Sequence, residues 1–156
     1  MFKSVLIVFS FLVIGQLSPS WATIIRDCNS ETGKLISLSV TGCSFNEDSD
    51  KCVLNKGETS TLVATFQNFN QTSQANLKIF GILMKRIPVP FIIEPNACAS
   101  WGVHCPLSAN SQSTMTISLP IKDEYPAIPV DIQVSLLDDK KKTIFCLQFA
   151  AQIEKK

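Results

Sequence analysis

The chain has 156 residues, 14 basic and 13 acidic, and close to half of its side chains are hydrophobic. That charge balance argues against nucleic acid as the main partner and against a strongly charge-steered substrate, because both call for a surface of one sign. The length suits a single domain once a leader is set aside.

Residues 1–22 read as a secretory leader. Lys3 supplies the basic start, Val5–Ile14 the short apolar core, and Ser20 and Ala22 the small residues before the cut. The apolar stretch is too short for a comfortable membrane span. Cleavage leaves residues 23–156 and removes Lys3 alone, so 13 basic residues face 13 acidic ones. No second long apolar segment follows, which predicts a soluble, secreted product.

All six cysteines, Cys28, Cys43, Cys52, Cys98, Cys105 and Cys146, lie beyond the leader. An even count in an exported chain implies disulfides. Cys43 with Cys52 and Cys98 with Cys105 are natural local pairs that close short loops, which would leave Cys28 for Cys146. Spacing alone does not choose among the pairings. No Cys-x-x-Cys occurs and His104 is the only histidine, so no metal site is expected.

In chain order, Ile24–Cys28 is a short apolar start. Ile36, Leu38 and Val40 alternate with Ser37, Ser39 and Thr41, the period of a half-buried strand. Gly42–Lys51 is a polar, acidic loop, and Asn55-Lys56-Gly57 is a turn signal. Glu58–Phe69 reads as a strand with Leu62, Ala64 and Phe66 on one face. Asn70-Gln71-Thr72 is a glycosylation acceptor, expected on an exposed loop. Leu77–Met84 is a strand that feeds the proline-rich segment Ile87–Pro90. Met115, Ile117 and Leu119 alternate with Thr114, Thr116 and Ser118. Pro120–Pro129 is a connection. Ile128, Val130, Ile132, Val134 and Leu136 share one strand face. Asp138–Lys142 is a charged turn, read as a solvated hairpin tip. Phe145, Leu147, Phe149, Ala151 and Ile153 form the inner face of a closing strand. Several short strands separated by turn residues, with no helical stripe, predict an all-β sandwich.

Enzymatic sites are hard to build here, and no catalytic residues and no cofactor are expected. His104 precedes a cysteine expected to be oxidised, and nothing around it resembles a triad. Asp138 and Asp139 are adjacent, so on a strand they would face opposite ways. There is no glycine-rich phosphate loop. The informative stretch is Gly81–Cys105. Pro88 and Pro90 lack backbone donors, so the segment is an edge or a lip rather than a central strand. It still carries Ile87, Val89, Phe91, Ile92 and Ile93, an apolar run that suits the mouth of a cavity or the closure of a core.

Two sets of residues resemble a known family. The first is Gly81-Ile-Leu-Met84, Pro88-Val-Pro-Phe91, Glu94-Pro95 and Cys98…Cys105-Pro-Leu107. The second is Leu119-Pro-Ile-Lys-Asp-Glu-Tyr-Pro126, Leu137-Asp-Asp139, Phe145-Cys146 and Gln152-Ile153. Together they resemble the Niemann–Pick type C2 proteins of the ML lipid-recognition family, from about Cys28 to Ile153. The resemblance implies an immunoglobulin-like β-sandwich of two antiparallel sheets, parted to hold a sterol or another lipid. It also implies the disulfides Cys28–Cys146, Cys43–Cys52 and Cys98–Cys105. Carried over by motif, Phe91 falls at the pocket mouth, and Ile121, Tyr125 and Pro126 fall on the sterol-facing Tyr-Pro segment. Phe66, Met84, Leu119, Ile132 and Phe149 complete the expected lipid-lining set. Val134 stands where typical sterol carriers have Trp, which would leave room for a fatty-acid-like ligand. Lys85 and Arg86 lengthen the usual lip. With Ile87 and Val89 they are expected to touch a membrane surface or a membrane-protein acceptor. The expected product is a monomeric lipid carrier, secreted or delivered to the lysosomal lumen. The competing expectation is an immunoglobulin-like recognition module, for microbial lipids or a protein receptor, without carrier activity.

Overall fold

The structure, a computed structural model, describes residues 25–45 and 52–156. The expected leader, and the part of the acidic loop at 46–51, lie outside the described residues. The chain folds as a β-sandwich. One sheet runs in the order β1 (Ile25–Asp27), β9 (Thr143–Glu154), β8 (Pro129–Leu137), β5 (Asn76–Leu83), β6 (Ile87–Pro90), with β3 (Val53–Asn55) also on β9. The other runs β2 (Gly33–Val40), β4 (Thr59–Asn68), β7 (Gln112–Pro120). Both sheets pair antiparallel, except that β3 lies parallel to the end of β9.

The strands sit where apolar and polar residues alternate. Leu62, Ala64 and Phe66 of β4, Met115, Ile117 and Leu119 of β7, and Ile132, Val134 and Leu136 of β8 all point between the sheets and are buried. Phe145, Leu147 and Phe149 of β9, beside β8 in the larger sheet, face the β4 and β7 residues of the other sheet, with the Phe66 and Phe145 rings 5.3 Å apart. A core of this kind is the dominant stabilising contribution of a sandwich.

β2 departs from the expected register. A bulge between Leu35 and Ser37 puts an extra residue opposite β4, so Ile36 turns outward and is 44% exposed. Leu35, Leu38 and Val40 face the core instead, because a bulge reverses the alternation on one side of itself. Gly33, at the start of β2, sits tightly between its sheet neighbour β4 and β9 of the facing sheet. A Cβ there would stand 2.4 Å from the Gln67 carbonyl oxygen and 2.9 Å from that of Ile144.

All three disulfides are the ones the resemblance implies: Cys28–Cys146, Cys43–Cys52 and Cys98–Cys105. Cys28–Cys146 closes 118 residues of sequence. Cys43–Cys52 joins the end of β2 to the start of β3, and so ties one sheet to the other. Cys98 lies in a single helical turn, α1 (Ala97–Ser100), capped by the Asn96 side chain.

The turn at 138–142 is solvated as expected at Asp139–Lys142, but not at Asp138. Asp138 is buried, and its carboxylate accepts from the Thr32 hydroxyl and from the backbone N–H groups of Lys140 and Lys142. A short acid can fold back onto its own turn and replace water there. Asp139 reaches outward and accepts from the backbone N–H and hydroxyl of Ser73. The β8–β9 hairpin is thereby tied to the β4–β5 connection.

Candidate functional site: an apolar mouth between the sheets

β6 is the edge of the larger sheet, as its prolines require. Phe91 N–H donates to the Ile79 carbonyl, so by the period of the ladder Val89 and Ile87 are the residues whose donors face β5. Pro88 and Pro90 then occupy the outward-facing positions, where a missing N–H costs no ladder bond. They also leave the free edge without donors for another strand.

The turn between β5 and β6 is Met84-Lys85-Arg86. Met84 and Lys85 have positive φ of 49° and 58°, the left-handed conformation of a tight hairpin. The strand therefore ends one residue earlier than its apolar run suggests. Met84 is not a cavity wall: it is 75% exposed at the hairpin tip. Lys85 and Arg86 stand beside it, exposed and without an ion pair among the described residues. Ile87 and Val89 are exposed on the lip, and Val89 also lines the cleft behind it.

Behind the lip lies an apolar cleft of about 50 Å³. Gly81, Leu83, Val89 and Phe91 line it from β5 and the lip, Val130 and Ile153 from β8 and β9, and Tyr125 and Pro126 from the β7–β8 connection. Gly81 has a packing reason to be glycine. A Cβ there would stand 3.2 Å from a Val130 methyl and 3.4 Å from the Phe91 ring, filling the floor of the cleft. Phe91 and Tyr125 meet edge to face, ring centroids 5.3 Å apart at 86°. Burial, with a smaller contribution from Glu124, pushes the Tyr125 hydroxyl above its ordinary pKa, so the ring stays neutral. A wider depression of about 360 Å³ lies between Gly57–Thr59 and Pro120–Glu124, but it is open and lined by charged residues.

Phe91 and Tyr125 come from different parts of the chain, the lip of the larger sheet and the β7–β8 connection, and the end of that connection accepts a bond from the Ile153 N–H of β9 at Ile128. Phe91 follows β6, whereas the start of the β7–β8 connection is held to the turn before β4 by two backbone bonds, Gly57 N–H to the Ile121 carbonyl and Ile121 N–H to the Glu58 carbonyl. Among the described residues, no hydrogen bond joins β6 to residues 121–128.

The expected lipid-lining residues therefore fall into two groups. Phe91, Tyr125 and Pro126 come together at the mouth. Phe66, Leu119, Ile121, Ile132, Val134 and Phe149 are buried in the packed interior behind it. Val134 pairs with Ile79 and Leu147, deep between its neighbours. Leu83, Val130 and Ile153 were not anticipated as mouth residues. Alternation placed the latter two on the inner face, but their position at the mouth depended on where β8 and β9 begin and end.

A sequence profile described as ML domain matches residues 22–153. The chain belongs to the ML domain family. It is 35% identical over 129 residues to the mouse protein "NPC intracellular cholesterol transporter 2", covering 82% of this chain and 83% of that one. Among solved structures it superposes on a Niemann–Pick type C2 protein from Japanese carpenter ant with a TM-score of 0.77 at 25% identity, over 84% of this chain and 99% of that one. It shares its fold with chicken MD-1, solved in complex with lipid IVa, at a TM-score of 0.54 and 15% identity, over 82% of this chain and 86% of that one. Of the side chains that line the cleft, Tyr125 alone carries a polar group. Among the described residues, no three metal-ligating side chains come together, and no helix is long and apolar enough to cross a membrane.

Proposed function

We propose that the protein is a secreted, monomeric lipid carrier that takes a sterol or a fatty-acid-like molecule between its two sheets. The observation that carries this reading is the mouth: an apolar corner of the sandwich closed by Phe91 packing on Tyr125, with no hydrogen bond across it. Similarity to a mouse cholesterol transporter along most of the chain supports it.

The cleft of about 50 Å³ is far below the roughly 300–1,000 Å³ of ligand pockets. Lipid uptake therefore requires the sheets to part, and the fold favours parting at one corner. Cys43–Cys52, the Val53 N–H to Gly42 bond and the close approach at Gly33 pin the sheets along the β2–β9 side. The β6 corner has only side-chain packing. Burying apolar ligand contributes roughly 25 cal/mol per Å², offset by lost freedom on binding, so affinity needs few polar contacts. Delivery would use the lip, where Lys85 and Arg86 supply attraction to anionic lipid and Met84, Ile87 and Val89 shallow apolar contact. The donor-free edge of β6 suits a monomer.

One observation favours a second reading, a recognition module without cargo: the interior is filled by the chain's own Phe66, Phe145 and Phe149. Mass spectrometry of lipid extracted from the purified protein separates the two. The carrier brings lipid with it and takes up added fluorescent sterol or fatty acid; the module does neither. Ligand choice is tested at Val134. With a valine where sterol carriers place Trp, we expect fatty acid to compete at least as well as cholesterol. Val134→Trp should then weaken the fatty acid more than the sterol. Sterol-only binding, unchanged by the substitution, would leave Val134 as ordinary core.

A further inference from the structure

Away from the mouth, the sequon Asn70-Gln71-Thr72 lies in the connection between β4 and β5. β4 begins near the mouth, where Thr59 pairs with Pro120, and ends at Asn68. Its ten residues, at about 3.3 Å each, put about 30 Å between the sequon and the mouth.

The two recognition elements of the sequon are in opposite states. Asn70 is exposed, and its side-chain amide makes no hydrogen bond among the described residues. Thr72 is 3% exposed. Its hydroxyl donates to the Gln74 carbonyl at 2.8 Å and accepts from the Asp139 N–H at 3.1 Å and, more weakly, from the Gln74 N–H at 3.4 Å. Its backbone pairs with Leu107 in both directions, at 3.1 and 2.8 Å. Leu107 and Asp139 are made after the sequon, so these contacts form only when distant chain arrives. Hydrogen bonds from the Ser73 N–H and hydroxyl hold the Asp139 carboxyl below its ordinary pKa. It is therefore ionised near neutral pH, where it keeps the hairpin on this loop.

We propose that Asn70 is an N-glycan acceptor that can be loaded only before Thr72 is folded in, and that the finished glycan projects from the pole opposite the mouth. In the transfer, the Asn70 amide nitrogen forms a bond to the anomeric carbon of an oligosaccharide carried on a polyprenyl pyrophosphate. The bond from that carbon to the pyrophosphate oxygen breaks, the pyrophosphate leaves with the electron pair, and the amide gives up one proton. The transferase must reach the Thr72 hydroxyl as well as the amide. The native fold presents only the amide.

Loading in the cell rests on entry into the secretory pathway, so the test is made outside the cell and needs neither the leader nor a bound lipid cargo. The full chain, made without glycan, is given to oligosaccharyltransferase with a lipid-linked oligosaccharide, once reduced and unfolded and once oxidised and folded. Mass spectrometry of the peptide holding Asn70 reads the product. We expect the unfolded chain to load, Asn70→Gln to abolish loading, and the folded chain to load about tenfold more slowly or less, since it must first open locally. Asp139→Ala, which removes the Ser73 contacts, should raise loading of the folded chain. Equal loading of folded and unfolded chain overturns the timing, and an unfolded chain that is never loaded overturns the site.

Discussion

The two ends of this sandwich are built from different materials. At the Asn70 pole, Asp138 takes three hydrogen bonds inside the fold, Asp139 ties the β8–β9 hairpin to Ser73, and the Asn68 side chain bridges the carbonyls of Asn70 and Ser108. Cys28–Cys146 lies toward the same end. At the mouth, Phe91 of the lip and Tyr125 of the β7–β8 connection touch, and an apolar cleft stands behind them. Buried polar contacts have strict geometry and are costly to leave unmade. Apolar contacts are non-directional, and a lipid can replace them at little cost. The polar pole can hold the register of both sheets while the apolar corner exchanges one set of contacts for another.

The largest expected effect lies at the polar end. Replacing Cys28 and Cys146 together by Ser releases a loop of 118 residues and should cost about 3–5 kcal/mol. Calorimetry should show Tm lowered by about 10 °C or more. A drop of only a degree or two would mean that the hydrogen-bonded pole holds its register without the cross-link. The second effect is smaller and lies at the mouth. A double-mutant cycle on Phe91→Ala and Tyr125→Ala should give a coupling of about 0.5–1.5 kcal/mol, the usual worth of an edge-to-face pair. Each single change should also speed uptake of a fluorescent lipid. Zero coupling with unchanged uptake would place the gate elsewhere.

Much of this contrast was legible in the sequence, for reasons that differ from place to place. The long strands β4, β7, β8 and β9 alternate cleanly, and the side chains assigned to the core are in it, except Ile128, which precedes β8 and is half-buried. β1 and β3 have three residues each, too few for a period to show. Ile36 was misplaced because a bulge leaves no mark on an alternating pattern. Met84 was misplaced because an apolar residue in a left-handed turn looks like the last residue of a strand. In the run Asp138–Lys142 four residues are exposed as expected, and only Asp138 is not, because composition does not say where a carboxylate folds back. The mouth is a different case. Phe91 and Tyr125 are 34 positions apart in sequence, and no periodicity joins them. Family resemblance suggested both as site residues, and the fold brings them into contact.

The smallest expected effect concerns the outside of the mouth. Lys85 and Arg86 are surface cations on a hairpin tip, so replacing both by Ser should leave Tm nearly unchanged, as exposed charges contribute little to stability. Their expected role is in delivery. Each basic residue near an anionic bilayer contributes about 1 kcal/mol of attraction, screened beyond a Debye length. The tip also carries Met84, 75% exposed, and the partly exposed Ile87, which can enter the headgroup region once the cations have brought it there. Transfer of a fluorescent lipid to vesicles containing anionic lipid should therefore slow several-fold in the double variant, and transfer to neutral vesicles should change little. Raising the salt should narrow the difference. Met84→Ser alone should slow transfer to both kinds of vesicle, because apolar insertion does not depend on bilayer charge. If the double Ser variant transfers at the wild-type rate to both, the pair is an ordinary solvated turn and delivery depends on another face of the molecule.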